Sequence, residues 1–196
     1  MNSLEKQLFK LQTEQLDHDE LFHKEITRLT IHQRLNHMAL HFAKYSGKIC
    51  NCILNSLDEQ SLRKTIIDSF IISITCANIL NLRISEKLIN PNEPEYSCLS
   101  DLGYSIAKRL EINTQDSLWI VKTFPIAAGE FAKACESIDH LESYKYRESI
   151  IDSVVKICSL MISAASYLKI DLVSEVPLRL NEVKKKSIFF DYYMNR

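Results

Sequence analysis

Three carboxylates in the second half of the chain have the type and spacing to hold a hard divalent cation. Phe131, Cys135, Ile138 and Leu141 recur at three- and four-residue intervals and predict the buried stripe of a helix, with Glu130 at its edge. Glu148 and Asp152 are four apart, so on the next helix they share one face, about 5–6 Å apart at Cβ. Antiparallel pairing of the two helices would bring all three together as oxygen ligands for Mg²⁺ or Mn²⁺, ions held by a few carboxylates together with substrate phosphates. Lys133, Arg147 and the run Lys184, Lys185 and Lys186 are the cations available to a phosphate. The same residues also suit a plainer role. Acidic groups near a helix N-terminus and basic groups near a C-terminus are favoured by the helix dipole, and Arg147 is placed to pair with Glu148 and Asp152. In the first half, His37 and His41 are four apart and, with Asp68, compose a second, poorer set suited to a transition metal.

Helices must carry these residues. Three glycines and four prolines leave little material for hairpin turns, and an all-α chain is expected. The segment Asn90-Pro91-Asn92-Glu93-Pro94-Glu95 stops any helix arriving from Leu88 and divides the chain near its middle. Before it, periodicity predicts helices over Ser3–Arg28, Thr30–Leu54 and Gln60–Leu82, with a turn at Asn55–Glu59. After it, helices are predicted over Asp101–Ile112, Asp116–Glu142 with an irregularity at Pro125, Tyr144–Leu168 and Leu172–Lys186.

The two halves resemble each other. His41-Phe42-Ala43-Lys44 matches Glu130-Phe131-Ala132-Lys133, and Arg63-Lys64-Thr65-Ile66-Ile67-Asp68-Ser69 matches Arg147-Glu148-Ser149-Ile150-Ile151-Asp152-Ser153. Phe131 follows Phe42 by 89 positions and Ile150 follows Ile66 by 84, so the order is kept and one connecting segment changes by five residues. Two related hairpins, each with an apolar face, are expected to pair about a pseudo-twofold axis into a four-helix bundle, with the polar N-terminal helix and the C-terminal helix as accessory elements. The expected organisation is one all-α domain over residues 1–196: a first hairpin at 30–89, a connector with a short helix at 90–115, and a second hairpin with a C-terminal helix at 116–186. Asp68 and Asp152, present in both copies, equally suit structural ion pairs, for example to Lys44 and Lys133.

Bulk properties exclude several classes. With 24 basic and 25 acidic residues the net charge is −1, so no global field favours a nucleic acid polymer or an anionic membrane. The apolar runs Ile66–Leu82 and Ile150–Leu168 are interrupted by Asp68, Asn78, Asp152 and Lys156 and read as buried helices rather than membrane spans. Six cysteines lack paired zinc spacing, and MNSLEKQLFK has no apolar core of a secretion signal; reduced thiols in a cytoplasm are expected. No nucleophile elbow, phosphate loop or dinucleotide fingerprint is present.

From Ala127-Ala128-Gly129-Glu130-Phe131-Ala132-Lys133-Ala134, through Glu148–Val154 and Ala164–Leu172, to Leu178–Lys186, the chain resembles the MazG-like all-α nucleotide pyrophosphohydrolases. The resemblance spans roughly Pro125–Lys186, with the first half a weaker copy. It implies Mg²⁺-dependent cleavage of a nucleoside triphosphate to the monophosphate and pyrophosphate. It carries metal-ligand roles to Glu130 and Asp152, while Ala127 and Ser149 stand where further carboxylates belong and Glu148 is shifted by one residue, about 100° around the helix. Val183 stands where an asparagine is usual, and His41 occupies the glutamate position of the first copy. A degenerate relative that binds a nucleotide without turnover, or a homodimerising helical scaffold with Phe189-Phe190-Asp191-Tyr192-Tyr193 as a contact surface, are the alternative expectations.

Overall fold

The structure, a computed structural model, describes residues 3–92 and 95–195. All regular secondary structure among these residues is helical. The first half holds α1 (Ser3–Phe22), α2 (Lys24–Thr27), α3 (Ile31–Cys50), α4 (Glu59–Ile79) and α5 (Ser85–Leu88), with a π-helical segment, Asn51–Ser56, closing α3. The second half holds α6 (Leu99–Arg109), α7 (Leu118–Asp139), α8 (Tyr146–Tyr167), α9 (Leu172–Lys184) and α10 (Phe190–Met194). Of the expected connector, Glu93 and Pro94 lie outside the described residues.

Local sequence explains most boundaries. Thr30 and Gln33 form a reciprocal capping box at α3, Asp58 accepts from Ser61 N at α4, and Asp171 accepts from Val173 N at α9. The scarcity of glycine shows at the C-termini. Asn81, Glu111, Leu141 and Lys169 adopt left-handed backbone with φ of 52°, 52°, 51° and 54°. Each lets the next residue bond to the carbonyl five residues back, as in Leu82 N to Ala77 O and Ile170 N to Ala165 O, closing a Schellman turn without glycine. Three expectations change in detail. Leu141, expected in the buried stripe, lies beyond the end of α7 in the left-handed turn and is exposed. The first helix breaks at His23, whose φ of −128° and ψ of 44° leave the helix, whereas α7 runs unbroken through Pro125.

α3 packs against α4 and α7, while α8 packs against α4, α6 and α7, so these elements enclose one core. Phe42 and Phe131, the residues that the sequence comparison of the two halves aligns, meet edge to face at its centre with ring centroids 5.3 Å apart. Arg63 and Arg147, aligned in the same comparison, make reciprocal contacts. Arg147 of α8 donates to Leu80 O at the end of α4, and Arg63 of α4 donates to Leu168 O at the end of α8. Each thereby satisfies a carbonyl that its own helix end leaves open. α8 is long and apolar enough to cross a membrane by length and composition, yet it is mostly buried among its neighbours.

The N-terminal helix is an integral wall. Leu4, Leu8, Leu11, Gln15 and His18 form its buried stripe against α4 and α9. Gln12 joins it to the end of α4, donating to Asn78 Oδ1 and Leu82 O at 3.0 Å each and accepting from Ile84 N.

Candidate functional site

On the second hairpin the carboxylates are engaged separately. Antiparallel pairing of α7 with α8 sets Lys156 opposite Glu130, with its Nζ 2.9 and 2.7 Å from the two carboxylate oxygens. Lys156 lies one helical turn beyond Asp152, so this register delivers an ammonium where a second carboxylate is expected. Glu148 pairs with Lys145 at 3.3 Å on an exposed surface, and Asp152 is exposed. The three do not bring their oxygens within 4.8 Å of one another among the described residues. Lys133 bonds Glu136 and Glu142, which raises its pKa, and Arg147 serves the end of α4. Lys184 ends α9 and Lys185 caps it.

The first hairpin is different. Where the sequence comparison of the two halves aligns Glu130 and Lys156, the first half carries His41 and Ile72, which cannot form such an ion pair. His41 and Ile72 instead line a cavity of about 310 Å³ between α1, α3, α4 and α9. Four of the six histidines in the chain, His18, His23, His37 and His41, face it, with Asp19, Lys44, Tyr45, Lys48, Asp68, Arg179 and Lys186. All three residues of the poorer set expected from the sequence, His37, His41 and Asp68, therefore share one wall.

Their bonding is specific. Arg179 of α9 holds Asp68 through two donors, Nε to Oδ1 at 2.6 Å and Nη2 to Oδ2 at 3.0 Å, and its Nη1 reaches Glu182 at 2.8 Å. Asp68 thus pairs with Arg179 rather than with Lys44, and its carboxylate raises the guanidinium pKa further. Lys44 Nζ lies 3.1 Å from His41 Nδ1. An ammonium only donates, so His41 Nδ1 accepts, and Nε2 carries the proton toward His37 Nε2 at 3.1 Å. Burial and then the charges of Lys44, His37 and His23 push the His41 pKa down to about 4, against a smaller opposing pull from Asp68. This imidazole is neutral at pH 7. Burial also lowers Lys44 and, with Asp68, raises Tyr45.

A second cavity of about 610 Å³ adjoins the first, sharing Lys44, Lys48, Asp68, Arg179 and Lys186 and adding Lys64. The basic run at the end of α9 reaches both through Lys186; Lys184 and Lys185 do not line either among the described residues.

His18, Asp19 and His23 were not anticipated as site residues. One signal for His18 is its place in the repeat Leu4, Leu8, Leu11, Gln15, His18, where a core hydrophobe is due. For His23 no periodic signal exists, because the break in the helix sets its position. The aromatic tail folds back beside it: Tyr193 packs edge to face on Phe22 at 5.9 Å and accepts a hydrogen bond from Lys24. No family model, curated protein or solved structure matches the chain.

Proposed function

We propose that the cavity of the first hairpin binds a phosphorylated small molecule, a nucleotide in keeping with the MazG-like resemblance. In this reading the chain is a four-helix bundle of two related hairpins whose ligand site lies in the first copy. The Phe42–Phe131 contact and the reciprocal arginine caps support the duplicated arrangement, since residues equivalent by sequence make equivalent bonds.

One observation carries the ligand class: Lys44, Lys48, Arg179 and Lys186 face the cavity against Asp19 and Asp68, a surplus of two positive charges in a chain whose net charge is −1. Arg179 already neutralises Asp68, so the lysines are the cations open to a phosphate. The volume of about 310 Å³ falls in the range of small-molecule sites, and the adjoining basic cavity extends it. Hydrolysis through Mg²⁺ at Glu130, Glu148 and Asp152 requires those carboxylates to leave Lys156 and Lys145 and converge. Binding without turnover is the expected behaviour.

Calorimetric titration with nucleoside mono- and triphosphates, with and without Mg²⁺, tests the reading. Saturable binding is expected, weakened about tenfold or more by Lys44→Met and unchanged by Lys133→Met. Absence of binding across the panel overturns it. Mg²⁺-dependent pyrophosphate release lost in Glu130→Gln and Asp152→Asn would instead assign the chemistry to the second hairpin.

A further inference from the structure

We propose that His18, Asp19 and His23 form a binding site for a divalent first-row transition ion, with Zn²⁺ the best match. The inference goes beyond the nucleotide reading and does not depend on it, because the metal alone is the probe.

The starting observation is an orphaned side chain. His18 is 7 % exposed, faces the cavity, and neither Nδ1 nor Nε2 has a hydrogen-bond partner. A buried imidazole in a native fold bonds to something, and an unmet polar group of this kind calls for a water or an ion. Asp19 Oδ1 lies 3.7 Å from His18 Nδ1, too long for a hydrogen bond. That separation is close to the roughly 3.3 Å between two ligand atoms on a tetrahedral zinc with bonds near 2.0 Å. One donor atom from each of His18, Asp19 and His23 lies within 4.8 Å of the others.

The chain is shaped to make this contact. In an unbroken helix residues 18 and 23 would point about 140° apart, since each residue turns about 100°. His23 departs from helical geometry immediately after α1, and its ring comes to 5.2 Å from that of His18, centroid to centroid. Outer groups orient the ligands as metal sites require. Thr75 of α4 donates to Asp19 Oδ2 at 3.3 Å, leaving Oδ1 toward His18. Glu25 Oε1 lies 3.4 Å from His23 Nδ1, which leaves Nε2 for the ion. Two imidazoles and one carboxylate select a borderline transition ion over Mg²⁺, and three protein ligands leave a coordination position open to water or to an anion in the cavity.

Co²⁺, a spectroscopic stand-in for Zn²⁺, is titrated into the full-length protein carrying Cys98→Ser, which removes the exposed thiol as a competing ligand. One equivalent is expected to bind with visible d–d absorption and to be displaced by Zn²⁺. His18→Gln and, at the half-exposed bend, His23→Gln each weaken binding by about tenfold or more. His37→Ala with His41→Ala leaves the stoichiometry at one. No bound metal in the folded wild-type protein, unchanged affinity in both His18→Gln and His23→Gln, or loss of binding only in the His37/His41 variant overturns the assignment.

Discussion

Replacing Arg179 by methionine isolates the ion pair that closes the floor of the cavity. The Arg179 and Asp68 side chains are 11 % and 14 % exposed and joined by two hydrogen bonds, so removing the guanidinium strands a carboxylate that water reaches poorly. Breaking a buried pair from one side costs about 3–5 kcal/mol. Lys44 senses the Asp68 charge and offsets part of the loss, which places the expectation at the lower end, about 3 kcal/mol. The double variant Asp68→Asn, Arg179→Met removes both charges and should recover about 2 kcal/mol, because the penalty comes from the unpaired partner rather than from a missing attraction. Urea unfolding followed by circular dichroism measures both, with the slope compared to confirm that the unfolded ensembles match. A single variant within about 0.5 kcal/mol of wild type, or a double variant no more stable than the single, refutes the reasoning.

Three further outcomes are expected. The His41 pKa is depressed to about 4 from 6.5, so the unfolded chain takes up a proton before the fold does; stability is complete above pH 6.5 and falls as the pH drops toward 4, and His41→Gln should flatten that slope in unfolding midpoints at pH 7.5, 6 and 5. Gly103→Ala should destabilise by about 1–3 kcal/mol in urea titrations, because the added Cβ would sit 2.0 Å from Ser166 Oγ and 2.7 Å from the backbone oxygen of Ile162; a neutral result would mean that α6 and α8 separate freely. Leu141→Gly relieves a left-handed leucine that is 86 % exposed and should stabilise by about 1 kcal/mol, raising Tm by about 2–4 °C; an unchanged or lower Tm would count against strain at that turn.

Helix content and most helix positions were legible because the chain lacks strand-forming turns and its apolar residues recur at helical intervals. Some contacts between matched positions were legible too: Phe42 and Phe131, aligned when the two halves are compared, meet in the core, and the aligned Arg63 and Arg147 exchange caps. Side-chain register was not. Whether Asp152 or Lys156 faces Glu130 depends on how far α8 slides along α7, and a shift of one turn exchanges a carboxylate for an ammonium. The first-half cavity was partly legible through His37, His41 and Asp68, but its other wall comes from α1 and α9, far away in sequence. The polar composition of α1 suggested an accessory helix, whereas Gln12, Gln15 and His18 are buried polar groups facing α4 and the cavity.

Diffraction from crystals soaked with a brominated nucleotide locates the ligand site most directly, because bromine marks its position through anomalous scattering. An anomalous peak in the cavity bounded by α1, α3, α4 and α9, with phosphate density beside Lys44 or Lys186, is the expected result. A peak beside Glu130 and Asp152 on the second hairpin, with the first-half cavity empty of ligand, would contradict it.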